Sequence, residues 1–262
     1  MTPLTPVTPL TPVDHELSWG VDGVSSCQLH DQPRGGGGVV SDPHGLAGSG
    51  VADAEAFLRR LVRVDPGAVV RLRPASPHGI ALWARLPWEV LVTRTVQGER
   101  ADDATVGAGD LLASLTEDTG ALPARRDAQW RWALPSGGGT TVEAVPAATI
   151  RRLAEAAEQT LRQATSTGLT SGRVVGDRVL RDALLDHVAI MVEAVDTERI
   201  PVPQRLVQAV SRMGFLPRTN GPEVRVLTVG SFVGLAAEYG VAWHSRTVGL
   251  MIRTIGRTGG DT

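Results

Sequence analysis

Residues 68–96 read AVVRLRPASPHGIALWARLPWEVLVTRTV, and their alternation decides the fold class. Gly79–Arg85 sets Ile80, Leu82 and Ala84 on one face and Ala81, Trp83 and Arg85 on the other. That period of two belongs to a half-buried strand. A turn at Leu86-Pro87 leads into the β-branched run Glu89–Val96, and Ala68–Arg73 reads as a strand before it. Strands joined by short turns pair antiparallel, because a parallel crossover needs a dozen or more residues. The stretch is an antiparallel meander.

Working outward, Phe57, Leu58, Leu61 and Val62 recur at helical spacing within Ala52–Val62, and Asp65-Pro66-Gly67 ends that helix. Downstream, Gly109–Leu115 reads as a short helix, Asp127–Leu134 as a strand and Pro135–Gly139 as a breaker. Residues 147–165 carry the clearest helical stripe, through Ile150, Leu153, Ala154, Ala157 and Leu161, with Glu158 and Arg162 as an i,i+4 pair on the wet side. Asp177 caps a helix bearing Val179, Leu180, Leu184 and Leu185, which runs into a strand at Val188–Ala194. Pro203 opens a further helix with Leu206, Val207, Val210 and Met213 inward, and Gly214 ends it. Glu223–Val229 and Val233–Trp243 form a second strand pair, with Val248–Ile252 as a candidate third. The expected fold class is α+β, with antiparallel sheet packed against several helices. Arg94-Thr95-Val96 and Arg246-Thr247-Val248 each close a helix–strand–turn–strand run. Two similar lobes, 51–140 and 141–262, are one reading of that echo; chance in a biased composition is the other.

Ahead of this α+β domain at 51–262, residues 1–50 read as a disordered tail. Residues 2–13 repeat Thr-Pro-Leu or Thr-Pro-Val four times, and proline every third residue matches the turn of polyproline II. The segment reads as a solvated spacer, coding sequence upstream of the true start, a rod for an aromatic groove, or a set of Thr-Pro phosphorylation sites. Gly35–Gly38, Asp42-Pro43 and Gly48–Gly50 extend it as flexible chain. The tail holds Asp14, Glu16, Asp22, Asp31 and Asp42 against Arg34, a charge of −4; the whole chain totals −2, which leaves +2 for the rest.

All 26 basic residues of the 262 are arginine. A lysine-free chain has no P-loop lysine, no Schiff-base nucleophile and no kinase-type strand lysine. A GC-rich coding sequence accounts for the bias, and the single asparagine, Asn220, agrees. With a net charge of −2 and an isoelectric point near 6.3, no electrostatic footprint for nucleic acid or anionic membrane is present. Cys27 is the only cysteine, so neither an internal disulfide nor a thiolate metal site is expected. No stretch reaches the roughly 18 to 20 apolar residues of a membrane span, and the start lacks the pattern of a secretory signal. Cytoplasmic location, no membrane and no cofactor are the expectations.

Trp130-Arg131-Trp132, preceded by Arg125-Arg126, is the most distinctive motif. On a strand both indoles share a face. They then either stack bases or grip a proline-rich segment, with Arg125 and Arg126 on phosphates, or pack under the 147–165 helix. Trp83 and Trp88 read as core anchors flanking Leu86-Pro87. Asp182 and Asp186 share a helical face next to His187, a constellation that is either an acid/base pair or an exposed helix end. The six histidines, at 15, 30, 44, 78, 187 and 244, show no ligand spacing, so no metal is expected. No Gly-x-Ser-x-Gly elbow and no phosphate-binding glycine loop occurs.

At Leu86–Val96 (LPWEVLVTRTV), Arg125–Pro135 (RRDAQWRWALP) and Ile200–Leu216 (IPVPQRLVQAVSRMGFL) the chain resembles an uncharacterised family of high-GC actinobacteria, over about residues 51–255. The resemblance brings no catalytic residues. By lineage it implies an accessory regulator of chromosome segregation, cell division or sporulation. The expectation is a non-catalytic protein that binds other proteins; an enzyme with an unfamiliar site and a weak nucleic-acid binder are the alternatives.

Overall fold

The computed structural model describes residues 43–75, 78–171, 177–193, 199–218 and 221–246. The Thr-Pro repeat, Cys27 and the candidate strand Val248–Ile252 lie outside the described residues. The meander forms as expected. β1 (Val69–Ala75), β2 (Gly79–Arg85) and β3 (Leu91–Gln97) pair antiparallel, with Val70 opposite Ala84 and Ile80 opposite Val96. Before it runs α1 (Ser49–Val64), whose Ala54, Phe57, Leu58 and Leu61 are buried. Gly50 lets the first turn of α1 press onto the sheet: a Cβ there would lie 1.9 Å from the Gln97 carbonyl oxygen. Thus Gly48–Gly50, read from composition as flexible chain, starts a packed helix.

β4 (Ala104–Gly107) adds to the outer edge of β1, and α2 (Ala108–Thr116) follows it directly. β4 escapes sequence reading because all four of its residues are buried, which leaves no alternation to see. The second half begins with β5 (Thr140–Val145) and α3 (Ala147–Ser171), then α4 (Asp177–Asp186). β6 (Val188–Glu193) and β7 (Arg199–Pro203) make a separate two-stranded hairpin. α5 (Gln204–Arg212) buries Leu206, Val207 and Val210 as its spacing predicts, and Gly214 at φ 62 ends it.

The segment Val233–Trp243, expected as one strand, is two: β9 (Phe232–Ala237) and β10 (Gly240–Ser245), after β8 (Val224–Val229). Only Glu238-Tyr239 separates them, so the apolar alternation runs almost unbroken through a tight turn. The Tyr239 amide donates to the Phe215 carbonyl at 3.1 Å and pins that turn to the end of α5.

Among the described residues one sheet of eight strands results, in the order β4-β1-β2-β3-β10-β9-β8-β5. Read from the centre outward, each side is a three-stranded meander with an added edge strand, and a helix precedes each meander; the edge strand follows the meander in the first half (β4) and comes ahead of the helices in the second (β5). β3 pairs with β10 at the joint, Thr93 opposite Val241 and Leu91 opposite Trp243. The fold is α+β with two topologically similar halves of one sheet. The repeated Arg-Thr-Val does not mark that symmetry, because Arg94 lies within β3, Arg246 lies past the end of β10, and Thr247 and Val248 are outside the described residues. All the main helices gather on one face, α1 over β3 and α5 over β9 and β10, with α3 on α5. Phe57 and Phe215 stack at 6.3 Å and 5° where the halves meet. Gln204 and Gln208, buried on α5, donate to the Leu153 and Ala154 carbonyls of α3 at 3.3 and 3.0 Å, which satisfies their amide nitrogens, while the buried Oε1 of Gln208 has no partner among the described residues.

Candidate functional site

The opposite face of the sheet carries the tryptophans. Asp127–Leu134 is not a strand. A single 3-10 turn at Asp127–Gln129 is followed by extended chain without ladder partners. Its start is tied to the β4 edge, where Asp127 Oδ1 accepts from the Thr105 amide at 2.7 Å. Its end reaches the β8 side, where Gly139 sits against Trp243 and the Thr228 carbonyl. The segment is a strap that crosses the sheet face opposite α1 and α5 and joins the two halves.

Trp130 and Trp132 fasten it. They point to the same side as expected but meet edge-on, with centroids 5.2 Å apart at 87°, and Trp130 Nε1 donates to the Trp132 carbonyl at 2.9 Å. The Arg71 guanidinium lies 5.6 Å from the Trp130 ring centre and that of Arg85 5.2 Å from Trp132. Both indoles are half-buried in a cluster built on Leu91, Leu227, Ala236 and Trp243. They pack across the sheet from α3 rather than under it. Trp83 belongs to this cluster, whereas Trp88 packs into the core on the helical side.

The arginines beside them are engaged. Arg125 donates to Asp127 and to Asp102, each at 2.7 Å, and to the Asp103 carbonyl; Arg126 pairs with Asp110 at 2.8 Å. The Arg125 guanidinium holds the carboxyl groups of Asp102 and Asp127 below the usual carboxylate range. A phosphate would have to displace those carboxylates to reach Arg125.

Asp186 is likewise committed. It pairs with Arg205, whose Nη1 also donates to the Trp88 carbonyl at 2.9 Å. Asp182, Asp186 and His187 are exposed on α4 and its C-terminal end. Among the described residues no group of three or more His, Cys, Asp or Glu side chains is placed to hold a metal ion.

Sequence reading missed an open cleft of about 640 Å³ on the helical side. Arg60 of α1 and Arg94 of β3 enter it from the first half, and Arg151 of α3, Arg218 and Tyr239 from the second. Arg94 is held by Asp53 and lies 5.6 Å from the Tyr239 ring centre, and Arg151 donates to the Pro217 carbonyl. Arg60 and Arg218 have no ion-pair or hydrogen-bond partner among the described residues. Glu155 lines the cleft, and the neighbouring Glu238 carboxylate raises the pKa of the Tyr239 hydroxyl. Three carboxylates therefore face four guanidiniums. No motif announced this site, since its arginines come from elements far apart in the chain.

Residues 46–132 match a domain of unknown function (DUF8010), and residues 134–249 match a second domain of unknown function (DUF8185). The two matches meet at Ala133 within the strap, and each takes in one four-stranded half of the sheet. This fits an uncharacterised family. No curated protein matches the chain. Among solved structures it is similar to a putative DNA polymerase III beta subunit from Eubacterium rectale, at 10% identity and a TM-score of 0.47, over 76% of this chain and 63% of that one. A sliding clamp from Bartonella birtlesii gives 13% identity and 0.46, over 74% and 63%. One from Caulobacter crescentus gives 11% and 0.45, over 80% and 68%. The chain thus spans less than two thirds of the length of the first of these, and at such identities no residue role transfers. No helix among the described residues is long and apolar enough to cross a membrane.

Proposed function

We propose that the protein is a non-catalytic cytoplasmic accessory protein that acts by binding other proteins. The observation that carries this reading is the cleft: open, arginine-lined and assembled from both halves of the sheet. Arginine is enriched at interface hot spots, and an open cleft presents it to a macromolecule. The lysine-free composition supports placing it in a high-GC actinobacterial lineage, and within that lineage we assign it to chromosome segregation, cell division or sporulation.

Affinity capture from native lysate with the full chain tests the reading. A specific protein should be recovered by the wild type, lost when Arg60→Glu and Arg218→Glu are combined, and retained by Arg162→Glu, which lies about two turns beyond Glu155 along α3 and outside the cleft. Recovery of no specific partner would count against it. A mobility-shift titration at low salt separates it from the nucleic-acid alternative, because phosphate contacts weaken steeply as salt rises.

A further inference from the structure

We propose that the cleft between α1, α3 and the end of α5 seats an acidic peptide segment of the partner, with Arg60 and Arg218 holding its carboxylates. The inference rests on the protein-binding reading and names the partner's chemistry. Four guanidiniums converge, Arg60, Arg94, Arg151 and Arg218. Two of them are occupied, Arg94 by Asp53 and Arg151 by the Pro217 carbonyl. Arg60 and Arg218 are left with donors and no acceptor among the described residues. A guanidinium presents a planar fork of donors that matches a carboxylate in a bidentate pair.

The shape narrows the ligand. A small-molecule site encloses most of its ligand in a largely apolar pocket. This cleft is open, and its apolar floor is limited to Ala56, Leu216 and Pro217. Such a floor suits side chains from a segment lying across the surface. The carboxylates of Glu155 and Glu238 at its margin repel a uniformly dense polyanion such as nucleic acid, yet spare single carboxylates placed over Arg60 and Arg218. The order of the two halves matters too: neither half alone holds both unpaired arginines.

The test uses the full chain and a fluorescein-labelled peptide of alternating Asp and Glu, read by anisotropy beside its Asn/Gln counterpart. The acidic peptide should bind, the neutral one should not, and Arg60→Glu with Arg218→Glu should weaken binding by roughly tenfold or more. Arg162→Glu should leave it within about twofold, since that exposed side chain lies about two turns further along α3 than Glu155 and pairs with Glu158 outside the cleft. Arg218→Ala alone, at an exposed position, provides a folded single variant that should still weaken binding several-fold. Equal binding of the neutral peptide, an equal loss in Arg162→Glu, or no loss in Arg218→Ala would overturn the proposal. A specific partner captured from lysate that an acidic peptide fails to displace would sink the peptide assignment and leave the protein-binding reading standing.

Discussion

At Trp132 a half-buried indole is held by the Arg85 guanidinium and the edge of Trp130, so its removal unfastens the strap. Trp132→Ala should cost about 2 kcal/mol in urea denaturation, roughly half the loss for a fully buried aromatic. A change within a few tenths would mean the strap carries no load. Gly234 lies directly beneath Trp243; a Cβ there would come within 2.5 Å of that ring. Gly234→Ala should therefore lower stability by about 1–3 kcal/mol through overpacking, seen as a fall in Tm. His44 gives a pH signature. Burial, then the Arg100 charge, lowers its pKa against the opposing pull of Asp118, and its Nδ1 accepts from the Leu46 amide at 3.0 Å. The unfolded chain thus takes up the proton first, so stability is complete above the ordinary value near 6.5 and falls as pH drops through it. His44→Asn keeps an acceptor without a titration, and should make the decline in Tm between pH 7 and 5 shallower. The slope will not vanish, because burial lowers the pKa of His244 as well.

Among the elements, the strap shows where local sequence misleads. Trp130-Arg131-Trp132 alternates like a strand, yet no neighbour offers it a ladder, and Asp127, the first residue of a 3-10 turn, instead ties that turn to β4. Asp127→Ala removes acceptors used by the Thr105 amide and Arg125, and should cost about 1 kcal/mol. Thermal denaturation of the variant checks this, and an unchanged Tm would contradict the clasp. By contrast, elements with a clean amphipathic period were legible: α1, β1 to β3, α3 and α5 lie close to where spacing places them. β4 was not, since all four of its residues are buried, and β7, which does alternate through Ile200 and Val202, is disguised by Pro201 and Pro203, residues that argue against a strand. The β9–β10 turn was hidden because two residues suffice to reverse a chain without interrupting its apolar pattern.

For the whole molecule, the two halves share one sheet, and the joint at β3 and β10 brings together what sequence keeps apart. Fold class could be approached from patterning, whereas the Arg-Thr-Val echo falls at different places in the two halves and does not report their likeness. The arginine cleft could not, because Arg60 and Arg218 are distant in the chain and become neighbours only when α1 packs beside the end of α5. The motif that draws the eye, two tryptophans two residues apart, serves packing on the other face. Hydrogen exchange of the full chain with and without the Asp/Glu peptide decides between these surfaces. Exchange should slow in Ala56–Arg60 and Ser211–Arg218, one stretch from each half, with the strap unchanged. Protection confined to Trp130–Leu134, or absent while the peptide is bound, would contradict it.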